Sequence, residues 1–178
     1  MKKMFFLSAM VLSTMSLKAQ NVFTAIETND VPAVKFLLNK SNADVNVKDA
    51  NGNTPLIMAV KNGQDRIVKL LLQKNASVDI KDKTGNTALM YACVSKNEEQ
   101  LHYLAAQYPN FNVQDNNGAT ALIKAATANN ATAVKVLLAY GAKASIKDKN
   151  DKAAIDYAKQ AHNTDAINLL NGAVIASN

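Results

Sequence analysis

The chain has 178 residues, of which 48% are apolar and 19% charged. That balance excludes intrinsic disorder and collagen-like structure and leaves enough length to bury a core. The formal charge is +6, but Lys2, Lys3 and Lys18 fall in the first nineteen positions, and the remaining seventeen basic residues exceed the fourteen acidic ones by only three. A surplus that small argues against the clustered basic surface of a nucleic-acid binder.

The first element is a leader. Lys2 and Lys3 precede an apolar stretch from Met4 to Leu17, fourteen residues interrupted only by Ser and Thr, and Lys18-Ala19-Gln20 follows. This is the layout of a secretory signal peptide, assigned to residues 1–19, with cleavage expected after Ala19 or, with Thr14 at the −3 position, after Ser16. As a helix the stretch would span about 21 Å, short of the roughly 30 Å hydrocarbon core, so it is a poor anchor. Reading it as a buried first helix is less favoured, because helix-period apolar residues resume only with Val22. No cysteine in the leader offers a lipid attachment point. The expectation is a periplasmic or secreted body, soluble once the leader is gone. Cys93 is the sole cysteine, which excludes an intrachain disulfide and argues against a Cys-rich metal site. It reads as a small residue in a helix interface, with a redox-sensitive thiol or a bridge to another chain as the alternative.

The body repeats. DANGNTPL from Asp49, DKTGNTAL from Asp82, DNNGATAL from Asp115 and DKNDKAAI from Asp148 begin 33 residues apart each time. Ala59, Ala92, Ala125 and Ala158 recur in step, as do Val68, Leu101, Val134 and Ile167. An earlier copy aligns with a shift of 34, which places one extra residue near Ser41-Asn42. Residues 20–178 therefore form one domain of about five units, approximately 20–50, 51–83, 84–116, 117–149 and 150–178.

Within a unit, Thr54-Pro55 predicts the start of a first helix, since a hydroxyl can cap an orphan N–H and proline suits the first helical position. Thr87 and Thr120 repeat the cap. Ala153 in the fifth unit forfeits it unless Asp151 takes over, so the last helix pair is expected to fray. Gly52, Gly85 and Gly118 mark hairpin tips where the backbone takes positive φ, and Asp151 replaces the fourth glycine. Val68, Leu71 and Leu72 make a one-faced stripe on a second helix, repeated by Val134, Leu137 and Leu138. Pro32 suits the first turn of the second helix in unit one, and Asp65, Glu98, Glu99 and Asp165 place negative charge where the helix dipole favours it. Asn75 and Gly141 tolerate the left-handed residue that closes a helix. Val45-Asn46-Val47, Val78-Asp79-Ile80 and Phe111-Asn112-Val113 alternate as an extended arm would. Tyr108-Pro109 interrupts this scheme, and a different loop is expected there.

With its 33-residue frame and Thr54-Pro55-Leu56, the sequence resembles the ankyrin repeat family over roughly residues 21–172. The resemblance implies an all-α solenoid of stacked helix-turn-helix units with protruding β-hairpin loops, about five repeats including caps. The family's histidine is replaced by Ile57, Met90, Ile123 and Asp156, which removes a group that ties adjacent hairpins together in that family. The terminal units read as caps: the first lacks a preceding hairpin, and Asn171 stands where Leu72 and Leu138 stand.

Convergent catalytic groups are not visible. His102 and His162 lie two units apart, the phosphate-loop, dinucleotide and zinc-protease motifs are missing, and no cofactor or metal is expected. Lys143, Lys147, Lys149 and Lys152 crowd one arm but mix with Asp148 and Asp151, which reads as a solvated hairpin, with a site for an acidic partner as the less favoured alternative. The resemblance implies a non-catalytic scaffold that binds another protein, as a monomer, without nucleic acid or membrane insertion. Related exported bacterial proteins support envelope enzymes or neutralise toxins, which is the alternative form of that role. A hydrolase hidden in the array is the less favoured rival.

In that family, partners are held by hairpin tips and the exposed side of the first helices. Carried onto this sequence, the tips are Asn51, Asn53, Thr84, Asn86 and Asn117. The first-helix positions are Met58, Tyr91, Lys124 and Tyr157, with Lys61, Val94 and Thr127 near the helix ends. Met and Tyr on an exposed stripe would serve as interface anchors. The alternative is that they pack against the next unit.

Overall fold

Each of the three inner helix pairs opens on a threonine hydroxyl. In the computed structural model, which describes residues 21–40 and 43–176, Thr54, Thr87 and Thr120 accept from the N–H groups of Ile57, Met90 and Ile123 at 3.2, 3.4 and 3.3 Å. The leader and the Ser41-Asn42 insertion lie outside the described residues.

The first helices are α1 (Val22–Glu27), α3 (Pro55–Lys61), α5 (Ala88–Ser95), α7 (Ala121–Thr127) and α9 (Ala154–Gln160). The second helices are α2 (Val31–Leu38), α4 (Asp65–Gln73), α6 (Glu98–Ala105), α8 (Ala131–Ala139) and α10 (Thr164–Ala176). Each helix packs on its hairpin partner and on its counterpart in the next unit, giving an inner layer of first helices and an outer layer of second helices. Ala59, Ala92, Ala125 and Ala158 are all 0% exposed, and their small side chains let successive first helices approach closely. Leu71, Leu104, Leu137 and Leu170, also wholly buried, fill the space between the two layers.

The second helices are capped by a different device. Asp30, Asn97, Asn130 and Asn163 accept from N–H groups three residues on. Three of these positions also reach back one unit: Asn97 Nδ2 donates to Asp65, Asn130 Nδ2 to the Cys93 carbonyl, and Asn163 Nδ2 to Asn129. Gln64, at the same position in unit two, caps nothing but donates to the Ile26 carbonyl. One polar position thus starts a helix and fixes the neighbouring unit.

Ala153 forfeits the side-chain cap as expected, and Asp151 does not replace it; Asp156 makes only the reciprocal half of a capping box, its carboxylate accepting from the Ala153 N–H at 2.9 Å. Two expectations are revised. The last pair is fully formed, with α10 the longest helix at 13 residues. Tyr108 keeps the common turn, taking φ 51° beside Asn75 at 58° and Gly141 at 84°, so the loop differs only in bonding: Pro109, without an N–H, cannot make the bond that Ala76 and Ala142 make to the Leu71 and Leu137 carbonyls. The protruding arms are closed at each tip by two backbone bonds, and the one β-bridge among the described residues joins Lys147 to Ala153.

Cys93 is 0% exposed, and burial pushes its thiol up to about 12, which keeps it protonated. No helix among the described residues is long and apolar enough to cross a membrane.

Candidate protein-binding face

The tips are organised by the recurring aspartates. Oδ1 of Asp49, Asp82, Asp115 and Asp148 accepts from the backbone N–H groups two and four residues on, at 2.8–3.1 Å. The aspartate's own N–H closes the loop onto the carbonyl four residues on, and the N–H at the third following residue returns to the aspartate carbonyl. This geometry demands positive φ at that third residue. Gly52, Gly85 and Gly118 supply it at 78°, 82° and 79°, and Asp151 takes it at 62°. At Gly85 a Cβ would also lie 2.6 Å from the Asn116 nitrogen of the next tip, so glycine is required by contact as well as conformation.

The second carboxylate oxygen points at the first helix. Asp82 Oδ2 accepts from the Tyr91 hydroxyl at 2.6 Å, Asp115 Oδ2 pairs with Lys124 Nζ at 2.7 Å, and Asp148 Oδ2 accepts from the Tyr157 hydroxyl. In unit two, where Met58 cannot donate, Asn53 Nδ2 fills the role at 2.8 Å from Asp49. Burial alone would raise Asp82 and Asp115, but the donors outweigh it and hold both carboxyls below the ordinary range. Asp148, more open, is lowered chiefly by Tyr157.

This places the residues the sequence singled out. Asn51, Thr84 and Asn117 stand exposed on the tips, and Asn86 is half-buried with its amide on the Thr84 hydroxyl. Asn53 is not a surface residue: it is 5% exposed because its amide completes the Asp49 turn. Met58, Tyr91, Lys124 and Tyr157 are half-buried, Met58, Tyr91 and Tyr157 pack against the core, and Tyr91, Lys124 and Tyr157 strut their own tips. Lys61, Val94 and Thr127 are exposed at the helix ends. Lys61 joins two units, since its ammonium lies 4.9 Å from the Tyr91 ring centre and 3.4 Å from Asn53 Oδ1. Tips and first helices therefore share one continuous side.

Residues the motif reading passed over tie the tips to one another. Lys48 Nζ donates to the Lys81 carbonyl at 2.9 Å, Lys81 Nζ to the Gln114 carbonyl at 2.8 Å, and Gln114 Nε2 to the Lys147 carbonyl at 3.0 Å. Each link joins the same position in successive units. Backbone bonds Lys83 to Asn51, Asn116 to Thr84 and Lys149 to Asn117 run beside it. On the arms, Asn46, Asp79 and Asn112 accept from the N–H groups of Ser77, Asn110 and Lys143 in the following unit. These links operate where Ile57, Met90 and Ile123, all 2% exposed or less, offer no donor.

Profile models for ankyrin repeats match this architecture, one described as three copies over residues 22–115 and one as many copies over residues 104–158. The chain belongs to the ankyrin repeat family. No curated protein gives a significant match. Ankyrin repeats generally mediate protein–protein interaction.

Proposed function

We propose that the chain is an exported, non-catalytic protein-binding module that holds its partner along the tips and the exposed ends of the first helices. The carrying observation is the continuity of that face. The tips of units three to five are fixed to their own first helices through an aspartate, that of unit two through Asn53 and Lys61, and successive tips are joined by backbone and side-chain links, so the surface is organised before any partner arrives. Five units at about 8–10 Å spacing give a ledge roughly 40–50 Å long. That length suits the roughly 800 Å² per partner of a standard protein interface.

Affinity capture from a cell-envelope extract tests this reading. The chain is expected to retain a specific protein, and Asn51→Ala with Thr84→Ala and Asn117→Ala is expected to lose it while the melting temperature stays within a few degrees. Equal retention by the triple variant would move the binding face elsewhere. Export is tested separately by sequencing the N-terminus of the purified protein: a start at Gln20 or near it supports leader removal, and a start at Met1 sinks it.

A further inference from the structure

The distribution of exposed charge indicates what kind of protein that face accepts. Divide the described chain into tips with first helices (residues 21–29, 47–63, 80–96, 113–129 and 146–162) and second helices with the loops that follow them. On the second-helix side the exposed charges are mixed, seven basic and five acidic. On the tip side eight lysines are exposed against two carboxylates, Glu27 and Asp151. The imbalance has a structural cause. The tip aspartates spend one oxygen on backbone N–H groups and the other on Asn53, Tyr91, Lys124 or Tyr157, and all four are at least half-buried. Of the exposed lysines, Lys48 and Lys81 donate to carbonyls of the next tip and Lys147 pairs with Asp151, whereas Lys61, Lys83, Lys96 and Lys149 have no ion pair among the described residues.

We infer that this ankyrin array recognises an acidic protein surface or segment, with carboxylates placed to meet ammonium groups on the tips and the first-helix ends. The inference rests on the binding face proposed above and names the chemistry of its partner. Nucleic acid fits less well, because the tyrosines on this side are not open platforms: the Tyr91 and Tyr157 hydroxyls are bound to aspartates, and Lys61 and Lys152 lie over their rings at 4.9 and 5.6 Å from the centres. An anionic lipid surface lacks its usual apolar wedge, since Val94 is the one large exposed hydrophobic on this side among the described residues.

The test uses a fluorescent oligoglutamate of about ten residues, roughly 33 Å when extended, titrated with the protein at low and physiological salt. Binding is expected, weakening as salt rises. Combined Lys61→Gln, Lys83→Gln, Lys96→Gln and Lys149→Gln should weaken it at least tenfold, and Lys35→Gln, Lys74→Gln, Lys135→Gln and Lys143→Gln on the opposite side should change it less than twofold. Lack of binding, equal loss in both variants, or equally tight binding of duplex DNA or phosphatidylserine vesicles would overturn the inference. Capture of an envelope protein that survives the first set of substitutions would also overturn it, while leaving the protein-binding reading intact.

Discussion

The second and third repeats share one plan and differ in how they fill it. At the tips they are nearly interchangeable: Asp49 and Asp82 accept from equivalent N–H groups, Gly52 and Gly85 take the same φ within a few degrees, and Thr54 and Thr87 cap α3 and α5 alike. In the second helices they diverge. Ile67, Leu72 and Asn75 of unit two become Gln100, Ala105 and Tyr108 of unit three, so an apolar anchor, a larger apolar side chain and a tolerant left-handed residue are replaced by less favourable ones. The tip geometry depends on specific hydrogen bonds and a fixed φ, which few residues satisfy. The outer layer needs only filled volume, and packing with neighbours on both sides allows it to drift.

What both units share should be the costliest to disturb. Leu71 and Leu104 occupy the same place and are each 0% exposed. Leu71→Ala is expected to lower the unfolding free energy in urea by about 2–5 kcal/mol, as a core truncation that leaves a cavity. A neutral result would mean that α4 does not pack as described.

Where the units differ, the effect should reverse sign. Gln100 is 0% exposed, and neither its amide nitrogen nor its amide oxygen has a hydrogen-bond partner. An amide buried without partners costs about 1–3 kcal/mol. Gln100→Ile, which copies unit two, is therefore expected to stabilise the chain by about that amount and to raise the melting temperature without changing binding at the tips. Loss of stability would show that the amide is satisfied in solution.

The contrast also explains how much was legible beforehand. Strict 33-residue spacing, the threonine caps and the tip glycines were readable because each has a residue type that the local backbone requires. Tyr108 misled for the same reason: aromatic residues rarely take positive φ, so a different loop was the natural expectation, yet it holds the common conformation and sets its ring against Tyr140 with centres 5.9 Å apart. The links between tips left no motif because their acceptors are carbonyls, which every residue owns. Lys48 and Lys81 look like ordinary surface lysines until the next unit is placed beside them. Tyr91 and Tyr157 read as exposed anchors because their partners lie nine residues earlier, across a turn, where helical spacing gives no hint. Asn53 read as a tip residue because only the fold shows that Met58 leaves the Asp49 oxygen for it to fill.

Acid should act on the region the two repeats have in common. Asp82 is held below its ordinary value in the folded chain, so its contribution to stability is complete above the unfolded value of about 3.9 and is lost as pH falls from there through the folded value. Asp115 behaves in the same way, with Lys124 in place of tyrosine. Thermal melts are expected to show a decline that sets in near pH 4 and steepens below it.

The smallest effect separates the two roles of Tyr91. Tyr91→Phe keeps the ring under Lys61 and removes only the hydroxyl on Asp82, so at neutral pH it should cost about 1 kcal/mol or less, discounted for partial exposure. Without that donor the Asp82 carboxyl moves back toward its ordinary value, and the decline in stability on acidification should become shallower than in the parent chain. Met58 supplies the internal comparison, since Met58→Leu touches no aspartate and should leave the acid profile unchanged. An unaltered profile in Tyr91→Phe would mean that the hydroxyl does not stabilise the tip, and the stripe of first-helix residues would then be free to serve the partner alone.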